Sequence, residues 1–123
     1  MKIFELPSEH GHLRGAIWEN VENPIGTIQI AHGLVEYHDR YDEFAKFLNE
    51  HGYIVYCNDH LGHGLHVKKG ALKGYFADEN GYEAVVDQLA EMNSVIRKAH
   101  PSLNHFFIGH SLGTALGLSF LKR

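Results

Sequence analysis

Gly109-His110-Ser111-Leu112-Gly113 follows the apolar run Phe106-Phe107-Ile108 and opens a segment whose Leu112, Ala115, Leu116, Ser119 and Phe120 recur at helical spacing. A Gly-x-Ser-x-Gly run between a strand and a helix is a nucleophile elbow. Its small flanking residues permit a sharp turn that lifts the serine Oγ out above a helix N-terminus. That geometry serves acyl transfer, in which the hydroxyl attacks a carbonyl and backbone N–H groups hold the oxyanion that forms. The reaction also needs a base, and behind an elbow of this kind the acid and the histidine follow the serine in the chain. Residues 114–123 contain no Asp, Glu or His, so the nucleophile stands here without either partner. A serine hydroxyl without a base is a weak nucleophile at neutral pH.

The chain has 11 histidines in 123 residues, and His32, His60, His63 and His110 are the upstream candidates for a substitute base. His110 directly precedes the serine and is expected to point away from Oγ. Asp59 precedes Ser111 in the chain and is expected to cap its own loop rather than to act as a triad acid. Asp59-His60-x-x-His63-x-x-His66 has residue types that suit zinc, but Gly62 and Gly64 interrupt it and its spacing is not that of a helical ligand pair. No metal and no cofactor is expected. Cys57, the single cysteine, lies in the apolar run Tyr53 to Cys57 and is expected to be a buried small hydrophobe.

The elements that must position these residues alternate in type. Short apolar runs at Ile3 to Leu6, Leu13 to Trp18, Thr27 to Ala31, Tyr53 to Cys57 and Asn104 to Ile108 read as strands. A helix is predicted over Tyr37 to Glu50, with Tyr41, Phe44, Ala45 and Leu48 on its apolar stripe and a stop at His51-Gly52. The longest helix opens at Asn80-Gly81, buries Val85, Val86, Leu89, Met92, Val95, Ile96 and Ala99, turns Glu83, Asp87, Glu91, Arg97 and Lys98 outward, and closes before Pro101. Between Asn58 and Gly74 four glycines break any periodicity, so an irregular loop on the ligand side is expected. The fold class is α/β: a mostly parallel sheet with antiparallel leading strands and helices on both faces. Ligands of such sheets bind beyond the carboxyl ends of the strands, so His32-Gly33-Leu34, Asp59-His60 and Ser111 should meet at one rim.

Composition narrows the partners. With 44% hydrophobic and 21% charged residues the chain has the balance of an ordinary globular domain, and a net charge of −4 with scattered basic residues excludes a general nucleic-acid surface. The first ten residues lack the apolar stretch of a signal peptide and no run approaches the ~18 apolar residues of a membrane span, so a cytoplasmic location is expected.

His32-Gly33-Leu34-Val35-Glu36-Tyr37-His38-Asp39-Arg40-Tyr41, Asp59-His60-Leu61-Gly62-His63-Gly64 and the elbow together resemble three successive blocks of α/β-hydrolases of the monoacylglycerol lipase and lysophospholipase type. The resemblance implies that Ser111 is the acylated nucleophile and that the backbone N–H groups of Leu34 and Leu112 form the oxyanion hole. It further implies that Asp59 to Gly64 shape a loop. Thr114 stands where such enzymes often carry another glycine, a departure large enough to crowd the elbow helix but not one that need block it. By this resemblance residues 1–123 are the N-terminal portion of an α/β-hydrolase domain, ending just after the elbow, without the cap and the C-terminal half. The expected activity is serine carboxylester hydrolysis of a small lipid ester, with the truncated chain itself inactive. The other readings are a non-catalytic α/β module that binds an acyl ligand or a partner, and a peptidase or thioesterase of the same fold. Contact with a membrane surface would need the cap. Self-association through an exposed sheet edge is expected, because Leu116, Leu118, Phe120 and Leu121 would have little to pack on.

Overall fold

The computed structural model describes residues 1–123, and after three leading strands its strands alternate with helices as the periodicities require. Five strands, β1 (Lys2–Ser8), β2 (Gly11–Trp18), β3 (Gly26–Ala31), β4 (Tyr53–Asn58) and β5 (Asn104–Gly109), form one sheet in the order β1-β2-β4-β3-β5. β2 is antiparallel to both neighbours, whereas β4, β3 and β5 run parallel. Only β2 therefore runs against the other four, which gives the mixed sheet its antiparallel start.

Side-chain alternation sorts the core onto two faces. Ala16, Trp18, Ile28, Ile30, Val55 and Cys57 point to one side and receive Ala45 and Leu48 of α1 (Asp42–Glu50). Leu13, Ile54 and Tyr56 point to the other side and pack on Met92 and Ile96 of α3 (Gly81–Ala99). Ala31, Val85, Val86 and Leu89 continue that second layer and bury Leu116 of α4 (Leu112–Leu121). Gln29 of β3 is buried among them; its amide donates to the Leu89 carbonyl at 3.0 Å and accepts from Asn93 at 3.1 Å. No helix is long and apolar enough to cross a membrane.

Several local expectations change. Residues His38–Tyr41 form a 3-10 turn before α1, and Phe44 is 39% exposed, because the buried stripe of so short a helix is filled by Ala45 and Leu48. In α3, Ala99 is exposed where the last turn runs past the sheet, and Asp87 is half-buried between His10 and Arg123. The glycine-rich segment contains a short helix, α2 (Leu65–Lys68), held by Asp59. Leu116 is fully buried rather than short of contacts, since α3 covers it, whereas Leu118 and Leu121 are exposed. β5 has β3 as its one neighbour, and Phe106 on its outer side is 51% exposed.

Candidate active site

The three parallel strands deliver their following residues to one rim. β3 leads into His32-Gly33-Leu34, β4 into Asp59-His60, and β5 into His110-Ser111. Hydrogen bonds join them: His110 N–H donates to the Ala31 carbonyl at 3.1 Å, and His60 N–H to His32 Nε2 at 3.0 Å.

Ser111 occupies the turn between β5 and α4 with φ +56° and ψ −118°, a conformation that costs a non-glycine residue roughly 1–3 kcal/mol. The turn is closed by Gly113 N–H to the His110 carbonyl and Thr114 N–H to the Ser111 carbonyl, both at 2.9 Å. The flanking glycines are required by contact. A Cβ on Gly113 would overlap the Ala31 carbonyl of β3, and one on Gly109 would lie 2.6 Å from the Gly113 carbonyl oxygen. Thr114 does not crowd this turn: it is exposed, and its Oγ1 donates to the Gly109 carbonyl at 2.9 Å. Ser111 is exposed, and no side chain hydrogen-bonds its Oγ.

Beside the elbow lies Gly33, where a Cβ would come within 3.2 Å of the Ser111 Cβ. Its peptide group is gripped from two sides. Gly33 N–H donates to Glu36 Oε1 at 2.7 Å, and His32 Nδ1–H donates to the Gly33 carbonyl at 2.7 Å. The tautomer of His32 follows from its other nitrogen, which accepts the His60 N–H; His60 Nε2–H in turn donates to the His32 carbonyl at 2.8 Å. In a trans peptide the N–H points opposite to the C=O. Drawing the Gly33 carbonyl toward His32 therefore turns the Leu34 N–H away from the ring. Neither Leu34 N–H nor Leu112 N–H donates to a protein acceptor. The next residue, Val35, has φ +61°, a backbone outlier for a β-branched side chain, located in this same loop.

Electrostatics keep the clamp neutral on one side and charged on the other. Burial pushes His32 down to about 4 and His60 to about 3, against the attraction of Asp59. His60 Nδ1 has no partner, so a proton there would be a buried N–H without an acceptor. Burial alone would raise the Glu36 carboxyl, but the Gly33 N–H, the Tyr41 hydroxyl and His110 together hold it below the usual carboxylate range. Arg40 adds an ion pair to Glu36 Oε2 at 3.0 Å.

The upstream histidines are occupied away from the serine. His110 Nδ1 lies 3.2 Å from Glu36, His63 Nδ1 donates to the Leu61 carbonyl, and His66 bridges Arg14 and the Asp59 carbonyl. Asp59 is fully buried and binds its loop: it accepts from His38 N–H at 2.8 Å, His38 Nδ1 at 3.0 Å and Leu65 N–H at 3.0 Å. Burial would raise this carboxyl, yet His38 and these N–H donors hold it below its usual range. The ring nitrogens of His60 and His66 that donate turn to different carbonyls rather than converging with Asp59 on one point. Cys57 is buried and unpaired, and burial pushes its thiol up.

Ser111, Leu112 and Gly33 thus come together with Leu34 next in the chain; His32 and His110 border Gly33, but no histidine hydrogen-bonds the Ser111 Oγ. The clamp made by His32, His60, Glu36 and Tyr41 was not legible as such. The only trace of it in the sequence is that Glu36 and Tyr41 share a block with His32-Gly33.

This chain resembles known proteins in both sequence and fold. The profile of the family described as serine aminopeptidase, S33 (Hydrolase_4) matches residues 22–123. A monoglyceride lipase of Homo sapiens is 31% identical over 101 residues, covering 82% of this chain and 31% of that protein. A monoglyceride lipase homolog of Monkeypox virus is 29% identical over 116 residues, covering 94% and 39%. A thermostable carboxyl esterase from Bacillus coagulans superposes with a TM-score of 0.87 at 27% identity, over 98% of this chain and 40% of the esterase. A lipase in its open form gives a TM-score of 0.90 at 26% identity, over 99% and 40%. The chain therefore spans two fifths or less of the length of these relatives. With the family's profile matched over 102 of its residues, 22 through 123, the chain belongs to the Hydrolase_4, serine aminopeptidase S33, family of α/β-hydrolases.

Proposed function

We propose that these residues carry the nucleophile and the oxyanion donors of a serine carboxylester hydrolase that acts on monoacylglycerol or lysophospholipid esters. The observation that carries the reading is Ser111 held at positive φ on the β5–α4 turn, with the unpaired N–H groups of Leu34 and Leu112 beside it. Ser111 Oγ attacks the ester carbonyl carbon while a base takes its proton. The carbonyl oxygen becomes an oxyanion and accepts from Leu34 and Leu112, interactions that strengthen as charge develops. Collapse expels the alcohol and leaves the acyl group on Ser111, from which water removes it. The names of the lipase and esterase relatives support a lipid ester as substrate.

In the same proposal, residues 1–123 are the N-terminal portion of a hydrolase domain and the base comes from outside them. The support is that every upstream histidine near the rim is bound elsewhere. A cytoplasmic site of action belongs to the proposal too, supported by the buried, unpaired thiol of Cys57.

The test is covalent labelling by a fluorophosphonate. A longer form of the protein that contains the base should label, and Ser111→Ala should abolish it; labelling that survives the substitution removes the elbow from the chemistry. The 123-residue chain should label little or not at all. Turnover by it at the rate of an ordinary esterase would make one of the upstream histidines the base.

A further inference from the structure

A cavity of about 560 Å³ lies between the Leu34–Tyr37 loop and the Gly62–Gly74 segment, within the range of roughly 300–1,000 Å³ that small-molecule sites occupy. Leu34, whose N–H donates to no protein acceptor, lines it together with Val35, Tyr37 and Val67. Two ammonium groups, Lys68 and Lys73, also line it. Lys68 Nζ sits 5.6 Å from the centre of the Tyr37 ring, a cation–π contact that keeps the charge at the cavity wall.

The lining of this cavity carries two ammonium groups against one carboxylate, in a chain of net charge −4. Lys2 and Lys46 pair with Glu19 and Asp42; Lys68 and Lys73, like Lys69, Lys98 and Lys122, have no carboxylate partner, and of these five only Lys68 and Lys73 line the cavity. Glu36 is the single carboxylate on the lining, and both its oxygens are engaged, Oε1 by Gly33 N–H and the Tyr41 hydroxyl and Oε2 by Arg40. An apolar wall with two uncompensated cations fits a ligand that has an alkyl part and a negative charge.

We propose that this cavity takes a single-chain anionic amphiphile, its alkyl part on Leu34, Val35, Tyr37 and Val67 and its phosphate or carboxylate on Lys68 and Lys73. Resting on the ester hydrolase reading above, the proposal selects esters that carry a negative charge over neutral ones.

Binding to the 123-residue chain tests it with ligands that contain no ester, so that loss of Ser111 labelling and loss of this binding are separate results. Monodecyl phosphate, 1-O-decylglycerol and inorganic phosphate are titrated below micelle formation by calorimetry. The phosphate amphiphile should bind at least about tenfold more tightly than the neutral ether and than inorganic phosphate. In Lys68→Gln/Lys73→Gln, whose exposed positions leave the fold intact, the preference over the ether should fall to about twofold or less. Equal affinity for the two amphiphiles, or a preference that persists in the double variant, would overturn the proposal. Inorganic phosphate binding as tightly as the amphiphile would also overturn it, because the apolar wall would then have no part.

Discussion

The Gly33 carbonyl and the Leu34 N–H belong to one peptide plane, so whatever holds the first aims the second. His32 holds it, and His60 holds His32 in the tautomer that donates. His32 is therefore a positioning residue for the proposed oxyanion donor, acting through a peptide rather than on substrate. In a form of the protein that turns over esters, His32→Ala should lower kcat by about 10²-fold with KM nearly unchanged, the loss typical of one oxyanion donor. His32→Asn, whose side-chain amide can reach the Gly33 carbonyl in place of Nδ1, should recover part of it. A loss that falls equally on KM, or no recovery in the Asn variant, would assign the ring to packing alone.

At the scale of elements, the site depends on how closely α4 approaches β3. The helix starts on a residue at positive φ and brings Gly113 against the Ala31 and His32 carbonyls, so the elbow and the His32-Gly33 loop are set by one contact. Gly113→Ala places a methyl on backbone that cannot swing aside, and overpacking of that kind costs typically 1–3 kcal/mol. The variant should lose about that much stability in urea denaturation, and the amide signals of Leu34 and Leu112 should shift together in NMR spectra. Unchanged stability would mean that the helix and strand stand farther apart. The Thr114 hydroxyl, bonded to the Gly109 carbonyl, restrains the same turn from its open side.

Over the whole molecule, the rim is a store of buried titratable groups, and stability should follow its protonation. His32 and His60 take up a proton near pH 6.5 when unfolded but only near 4 and 3 in the fold. Between those values the unfolded chain binds more protons, so stability is fully present above about pH 6.5 and falls as pH drops below it, by on the order of 3 kcal/mol for His32 alone. Asp59 draws a proton toward both rings and Glu36 toward His32, while His63 opposes it at both and His32 opposes it at His60. The carboxyls of Asp59 and Glu36, both held low, add a second loss once pH passes below the ordinary carboxylate range. Thermal unfolding should show a Tm that is level between about pH 7 and 8 and declines steadily toward pH 5. A Tm that stays level to pH 5 would contradict burial of the two rings as neutral groups.

The order of strands and helices, the elbow and the meeting of three strand ends at one rim were legible in the linear chain. Apolar periodicity, glycine placement and the serine between two glycines are local properties that survive without knowledge of what lies across the sheet. What packs over a helix was not local. Leu116 reads as under-packed until α3 is seen to cover it, and Phe44 reads as core although Ala45 and Leu48 fill the narrow stripe that α1 buries. The clamp on the Gly33 peptide was hidden for the same reason. His32 and His60 are 28 residues apart, and the bonds that fix their two tautomers exist only because β3 and β4 lie side by side in the sheet. Sequence by itself determined which residues could do the chemistry and on which elements they sit; the tertiary structure alone decided which nitrogens face which carbonyls, because hydrogen-bond direction depends on neighbours that the chain supplies from far away.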